Sequence, residues 1–291
     1  MTALDHTILE HTTIATNGIN LHVVQAGPED GQPVILLHGF PEFWYCWRHQ
    51  IGYLAEQGYR VIVPDQRGYN LSDKPDGVAS YNLDLLAADV VGLIDSTGHD
   101  RVYLVGHDWG GAVAWWAANK YPERLLKLVN LNIPHHAVMR RALNTNWAQR
   151  RKSWYIFAMQ VPWLPERNLA RRNYRTLTKG LLDSSTPGAF TEADLEHYRE
   201  AWSQPGAMLR MVNWYRALFR FPPERLPSPR ITVPTLLIWG RHDIALGVEM
   251  AQPSVDLCDE GRLVLLDDAT HWVQNDEPER VNALIGEFLG G

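Results

Sequence analysis

The stretch Val105-Gly106-His107-Asp108-Trp109-Gly110-Gly111 constrains this 291-residue chain more than any other. An apolar run, Tyr103 to Val105, leads into it, and a small-residue helical pattern, Gly110 to Ala118, leads out. In that setting Gly-x-Asp-x-Gly is the strand–turn–helix arrangement of a nucleophile elbow, with Asp where Ser is more usual. Glycines on both sides permit the tight turn and a close approach of strand to helix. The central side chain then stands above the end of a sheet, at the positive N-terminus of a helix. A carboxylate held there stays ionised and can attack carbon directly. Any Asp before a helix can also serve simply as an N-cap. The flanking glycines and a downstream His271 favour the elbow.

An elbow needs a parallel α/β sheet around it, and the chain supplies one. Thr12–Ala15, Asn17-Gly18 and Ile19–Val24 read as a hairpin, Asn-Gly being a strong two-residue turn signal. Pro33–Leu37 and Tyr59–Pro64 are short, wholly apolar runs suited to strands buried on both faces. Further strands are expected at Leu128–Asn132, Thr235–Trp239 and Arg262–Leu266. Helical periodicity covers Trp47–Gln57, Tyr81–Thr97 and Glu279–Leu289. Alternating strands and helices imply βαβ crossovers and a mostly parallel central sheet with flanking helices. Catalytic groups in such sheets gather at the carboxyl ends of the strands.

The texture changes at Pro134. From there to about Pro229 the buried strand runs stop, and the segment turns helical and aromatic, punctuated by Pro162, Pro165, Pro187-Gly188, Pro205-Gly206 and Pro222-Pro223. Two units follow: a core of residues 1–133 and 230–291, and an inserted helical cap of residues 134–229. No internal repeat or low-complexity tract interrupts them.

The formal net charge of −6 argues against a polyanion-binding surface, and no basic face with interleaved aromatics of the nucleic-acid kind is visible. Basic residues do gather at Arg140-Arg141, Arg150-Arg151-Lys152 and Arg171-Arg172, and read as solvated helix faces. Cys46 and Cys258 lie far apart without metal-ligand spacing, so two reduced thiols are expected rather than a disulfide framework or zinc site. Met1–Glu10 shows neither the basic nor the apolar region of a secretory signal. No apolar run approaches the roughly 20 residues that span a bilayer. The expectation is a cytoplasmic protein, monomer or homodimer, with no nucleic-acid or membrane partner.

Four motifs, His38-Gly39-Phe40-Pro41, Gly106-His107-Asp108-Trp109-Gly110-Gly111, Gly240-Arg241-His242-Asp243 and Thr270-His271-Trp272, occur in that order. Together they resemble the α/β-hydrolase superfamily, and within it the soluble epoxide hydrolases, over nearly the whole chain. The order nucleophile, acid, His matches that superfamily. Asp108 is the expected nucleophile and His271, just after the last strand, the base that activates water. As a base His271 must be neutral, so its pKa is expected near or below working pH. Asp243, at the end of the preceding strand, would orient His271; Asp267 and Asp268 are competing acids. Some relatives carry the acid after the strand that here ends at Asn132, a position that is not acidic. The resemblance further implies an oxyanion hole from the amides of Phe40 and Trp109, and a cis Phe40–Pro41 bond. Phe40 and Trp109 would also line the substrate site.

An epoxide oxygen leaves as an alkoxide and needs a hydrogen-bond donor. The resemblance places one donor at Tyr155, in Trp154-Tyr155-Ile156-Phe157-Ala158-Met159-Gln160-Val161-Pro162. It places the other at Tyr215, in Asn213-Trp214-Tyr215-Arg216. Two phenols with ordinary pKa values near 10 can donate at neutral pH. Dehalogenases that share the Asp nucleophile typically carry a polar Asn, Gln or Glu where Phe40 stands, or an Arg where Trp109 stands, and this chain has neither. The expected activity is conversion of an apolar aromatic or alkyl epoxide to a vicinal diol, with water as co-substrate and no metal or organic cofactor. Haloalkane or haloacid dehalogenation is the alternative, and a non-catalytic ligand-binding homologue a third reading.

Overall fold

Asn17-Gly18 turns the chain with φ of 45° and 76°. That turn pairs β1 (Glu10–Thr16) with β2 (Ile19–Ala26) antiparallel. The computed structural model describes residues 8–291; residues 1–7, on which most of the leader expectation rests, lie outside the described residues. Six further strands complete one sheet: β3 (Pro33–Leu37), β4 (Arg60–Pro64), β5 (Val102–His107), β6 (Leu125–Leu131), β7 (Thr235–Gly240) and β8 (Gly261–Leu266). Their order is β1-β2-β4-β3-β5-β6-β7-β8, and every pair from β4 to β8 is parallel. The strand that precedes the elbow, β5, is therefore central.

Side chains alternate between the two faces of each strand, and both faces are covered. Val34 and Leu36 pack with Trp47, Ile51, Ile285 and Leu289, that is, against α1 (Arg48–Glu56) and α12 (Pro278–Gly290). Ile35 and Leu37 face the other way, toward Leu86, Val90, Val113 and Ala114, on α2 (Leu83–Ser96) and α3 (Asp108–Lys120). Each such aliphatic side chain, taken fully from water, contributes about 1.5–3 kcal/mol. The starts of α1 and α2 fall slightly later than periodicity suggests, and that of α12 one residue earlier. Asn82 caps α2 by accepting from the Asp84 amide at 2.7 Å, so the helix begins at Leu83 rather than Tyr81.

Between β6 and β7 the chain forms six helices: α4 (His136–Thr145), α5 (Trp147–Lys152), α6 (Trp154–Ala158), α7 (Leu164–Ser184), α8 (Glu192–Ser203) and α9 (Ala207–Arg220). They are tied to loops that leave the strands. Trp202 donates to the Pro41 carbonyl at 2.6 Å, Trp214 to the Arg67 carbonyl at 3.0 Å, and Arg48 to the Ala189 carbonyl at 2.8 Å. The long helix α7 is broken: Arg172, Asn173 and Tyr174 have φ of 53°, 53° and 59°. The chain closes through α10 (Ala251–Val255), α11 (Val273–Asp276) and α12. Cys46 and Cys258 are both free and buried. Among the described residues no helix is long and apolar enough to cross a membrane, and no group of three or more His, Cys, Asp or Glu could hold a metal.

Candidate active site

Asp108 is the first residue of α3 and takes φ of 49°, a left-handed conformation that costs of order 1 kcal/mol or more for a residue with a side chain. The turn is possible because its neighbours have no Cβ. A Cβ on Gly106 would lie 2.6 Å from the Gly110 carbonyl oxygen, and one on Gly39 only 2.5 Å from the Asp108 Cβ. The loop after β3 thus lies directly on the elbow. The Phe40 amide donates to Asp108 Oδ1 at 2.9 Å, and Phe40–Pro41 is cis, as the resemblance implies. The Trp109 amide makes no bond to Asp108 among the described residues. It belongs to the first turn of α3, whose N–H groups have no partner within the helix.

His271 follows β8, the edge strand on that side of the sheet, and Asp243 follows its neighbour β7. His271 Nδ1 lies 2.7 Å from Asp243 Oδ2, and its Nε2 lies 3.6 Å from Asp108 Oδ2. Asp243 is held from every side. Its Oδ1 accepts from the amides of Ala245 and Leu246 at 2.7 and 2.8 Å, and its Oδ2 accepts from Asn132 at 2.8 Å. The competing acids are not in the site: Asp267 is exposed and pairs with Arg241, and Asp268 is exposed.

The three charges set one another. Burial pushes Asp243 up, but the charge of His271 and its hydrogen bonds outweigh that and hold it below the usual carboxylate range. Asp108 is likewise raised by burial and lowered further by the His271 ring 3.6 Å away and its charge, ending below its ordinary value. For His271 burial alone would favour the neutral ring, yet the charge of and bond to Asp243, with the carboxylate of Asp108 3.6 Å away, raise it well above 6.5. The expectation of a His pKa near or below working pH therefore does not hold for the free protein. Its causes are the two carboxylates, Asp243 first and then Asp108.

Sequence reasoning missed the layer beneath. His107 Nδ1 lies 2.8 Å from Glu42 Oε2 and its Nε2 2.8 Å from the His271 carbonyl, and His107 and Glu42 are fully buried. Gln274 reaches Glu42 at 3.3 Å. The pair fixes the loop that carries His271. Asn132 was equally missed, although it fills the position where an acid was sought. The signal available was positional: Glu42, His107 and Asn132 all stand at or just past the ends of predicted strands.

Tyr155 on α6 and Tyr215 on α9 face each other with ring centroids 6.0 Å apart. The Tyr215 ring also meets the edges of Phe40 and Trp109 at 5.1 Å each, and those two residues flank Asp108. Burial, followed by the charge of Asp108, raises both phenols well above 10, so both stay protonated and can donate. Arg216 fastens the two helices together, donating to the carbonyls of Met159 and Val161 at 3.1 and 2.7 Å and to Glu166 at 2.7 Å. Gln160 donates to the Tyr215 carbonyl at 2.8 Å. The other aromatics divide: Trp214 is buried, whereas Trp154, Phe157 and Trp163 are exposed.

Comparison with known proteins shows the family. A family model described as the alpha/beta hydrolase fold matches residues 32–278. The chain is 48% identical to an AB hydrolase superfamily protein, YfhM, of Bacillus subtilis, over 95% of this chain and 96% of that one. It is 40% identical to human epoxide hydrolase 4, over 96% of this chain and 78% of the relative. A solved structure of the Bacillus megaterium epoxide hydrolase with an inhibitor superimposes with a TM-score of 0.88 at 32% identity, covering 96% of this chain and all of that one. The chain belongs to the α/β-hydrolase family and to its epoxide hydrolase branch.

Proposed function

We propose that this protein, a hydrolase acting on epoxides, opens an apolar epoxide to a vicinal diol through an alkyl ester on Asp108. The observation that carries the reading is the pairing of two buried, protonated phenols with an ionised carboxylate at the elbow. Asp108 attacks a ring carbon, the carbon–oxygen bond breaks, and Tyr155 and Tyr215 hydrogen-bond the departing oxygen, one of them giving it a proton. Esterification removes the negative charge of Asp108, and with it one of the two charges that raise His271. Neutral His271, oriented by Asp243, then takes a proton from water as that water attacks the ester carbonyl. The Phe40 amide, already on Asp108 Oδ1, and the Trp109 amide stabilise the tetrahedral oxyanion. Collapse releases the diol and restores the carboxylate.

In this reading residues 134–229 form the cap domain over a core of residues 1–133 and 230–291, the core carrying the attack and the cap the leaving-group donors. The test is a substrate panel. Styrene oxide should give its diol, and a haloalkane and haloacid set should release no halide. Halide release without diol formation would replace epoxide opening by dehalogenation.

A further inference from the structure

The helical insertion leaves a patch of large apolar side chains in water. Trp154 and Phe157 stand about one turn apart on α6, and Val161, Trp163 and Leu164 follow where the chain enters α7. Phe219, near the end of α9, closes the patch, its ring 5.6 Å from that of Phe157. All six are exposed, Trp154 by 67% and Trp163 by 79%. The four rings alone present roughly 500 Å² to solvent, at about 150–250 Å² for a whole aromatic side chain. Contiguous exposed patches beyond a few hundred Å² mark contact sites. Packing within the chain does not account for Trp163. Its φ of 59° is a strained conformation for a residue with a side chain, yet that side chain is turned out to water.

Charge says what covers the patch. Of the chain's 27 Lys and Arg, 15 lie in residues 134–229, with only 7 of its 33 Asp and Glu, so the insertion is net +8 and the remainder −14. The net −6 of the whole chain conceals that division. Arg171, Arg172 and Arg175 line one groove with Trp154, Val161 and Leu164. All three arginines are exposed, and none has an ion pair among the described residues. An aromatic face rimmed by unpaired arginines, on the positive unit of a molecule whose other unit is negative, fits an anionic lipid surface. Trp rings favour the level of the headgroups, anionic lipids attract Arg near the surface, and the field of the molecule turns the insertion toward them. A second copy fits poorly. A two-fold pairing through this patch would set the two arginine groups, and two units of +8, against each other.

We propose that the insertion docks on an anionic lipid surface, with Trp154, Phe157, Trp163 and Leu164 entering the headgroup region and Arg171, Arg172 and Arg175 on lipid phosphates. Such docking lies in the interface plane and needs no spanning segment, so it is compatible with the lack of a long apolar helix among the described residues. The expectation of no membrane partner, which rested on spanning runs and on net charge, gives way under this proposal. Helix α6 also carries Tyr155, so docking brings a proposed leaving-group donor close to the phase in which an apolar substrate concentrates. The docking argument itself uses no step of the reaction.

The test sediments the full chain with sucrose-loaded vesicles of phosphatidylcholine, alone or mixed with phosphatidylglycerol. Partition onto the anionic vesicles should be stronger by about tenfold or more, each Arg near such a surface contributing about fivefold, and high salt should weaken it. Arg171→Gln/Arg172→Gln/Arg175→Gln should lose most of the preference for anionic lipid. Trp163→Ser/Leu164→Ser, which alters only exposed side chains, should keep the wild-type Tm and lose binding. Brominated acyl chains should quench tryptophan emission of the bound wild type, and quench it less in Trp154→Phe/Trp163→Phe. Equal partition onto the two vesicle types, or binding that the Ser variant retains at wild-type strength, overturns the proposal. Binding without quenching overturns it too, since that is adhesion by charge alone. Should the Ser variant unfold, the Gln variant and the quenching decide. Sedimentation velocity without lipid covers the other occupant: a dimer that Trp163→Ser/Leu164→Ser dissociates would assign the patch to a second copy and overturn the proposal, and an oligomeric state that those substitutions leave unchanged supports it.

Discussion

At the scale of single residues the chemistry depends on three charges sharing two protons' worth of positions. Removing the base while keeping the nucleophile should separate the half-reactions. His271→Gln should accumulate protein bearing one substrate mass, seen by intact-protein mass spectrometry after styrene oxide, whereas Asp108→Asn should show none. Tyr155→Phe or Tyr215→Phe alone should slow alkylation by roughly tenfold or more, and the double variant should abolish it. An undiminished double variant would show that another donor serves the oxygen. The pH dependence also has a sign. His271 is raised in the free protein by Asp243 and Asp108, and the ester removes the second of these charges. Stopped-flow tryptophan fluorescence should therefore find the hydrolysis phase rising with pH through a pKa lower than that of the His271 ring in the free protein, read by NMR. A hydrolysis pKa equal to or above the free value would contradict the coupling.

At the scale of elements the site is an agreement between strand ends and two insertion helices. Arg216 carries much of that agreement. It is buried, it donates to two carbonyls of the α6–α7 connection, and it pairs with Glu166, itself only 12% exposed. Arg216→Met leaves Glu166 uncompensated, a loss of about 3 kcal/mol for a buried pair. It should lower Tm by several degrees and slow alkylation by displacing both tyrosines. Arg216→Lys should not rescue, because a point charge cannot reach three acceptors of the fork. Wild-type stability in Arg216→Met would remove this account of the linkage. The strand and helix spans were legible because they are local: apolar runs of five or six residues, glycine punctuation, and a 3.6-residue period. The partners of Glu42, His107 and Asn132 were not, since Glu42 meets His107 only when β3 and β5 lie side by side, and Asn132 meets Asp243 only when β6 and β7 do. The break in α7 left no mark either, because Arg172, Asn173 and Tyr174 carry no glycine or proline to announce it.

At the scale of the whole molecule, buried histidines set the acid limit. Burial pushes His135 down to about 3 and His136 down to about 4, against 6.5 when unfolded. His135 Nε2 and His136 Nδ1 are buried without a partner, so a proton there meets no acceptor. Between about pH 6.5 and about pH 4 the unfolded chain binds more protons than the folded one, and stability falls as pH falls. His271, being raised, has the opposite window: its contribution is present below 6.5 and lost as pH rises through its folded value. Asp108 and Asp243, both lowered, add theirs above the ordinary carboxylate range and lose it as pH falls through their folded values. Tm should drop steadily from about pH 6.5 to about pH 4, and His135→Gln/His136→Gln should flatten the slope. An unchanged slope would assign acid sensitivity elsewhere.

The central claim is that Asp108, and not water, makes the first bond to substrate carbon. One turnover of styrene oxide by excess enzyme in water enriched in oxygen-18 decides it. The account requires the first diol to carry an unlabelled oxygen from the Asp108 carboxylate, with label appearing in Asp108 and then in the diol of later turnovers. Label in the diol of the first turnover would mean direct attack by water and would contradict it.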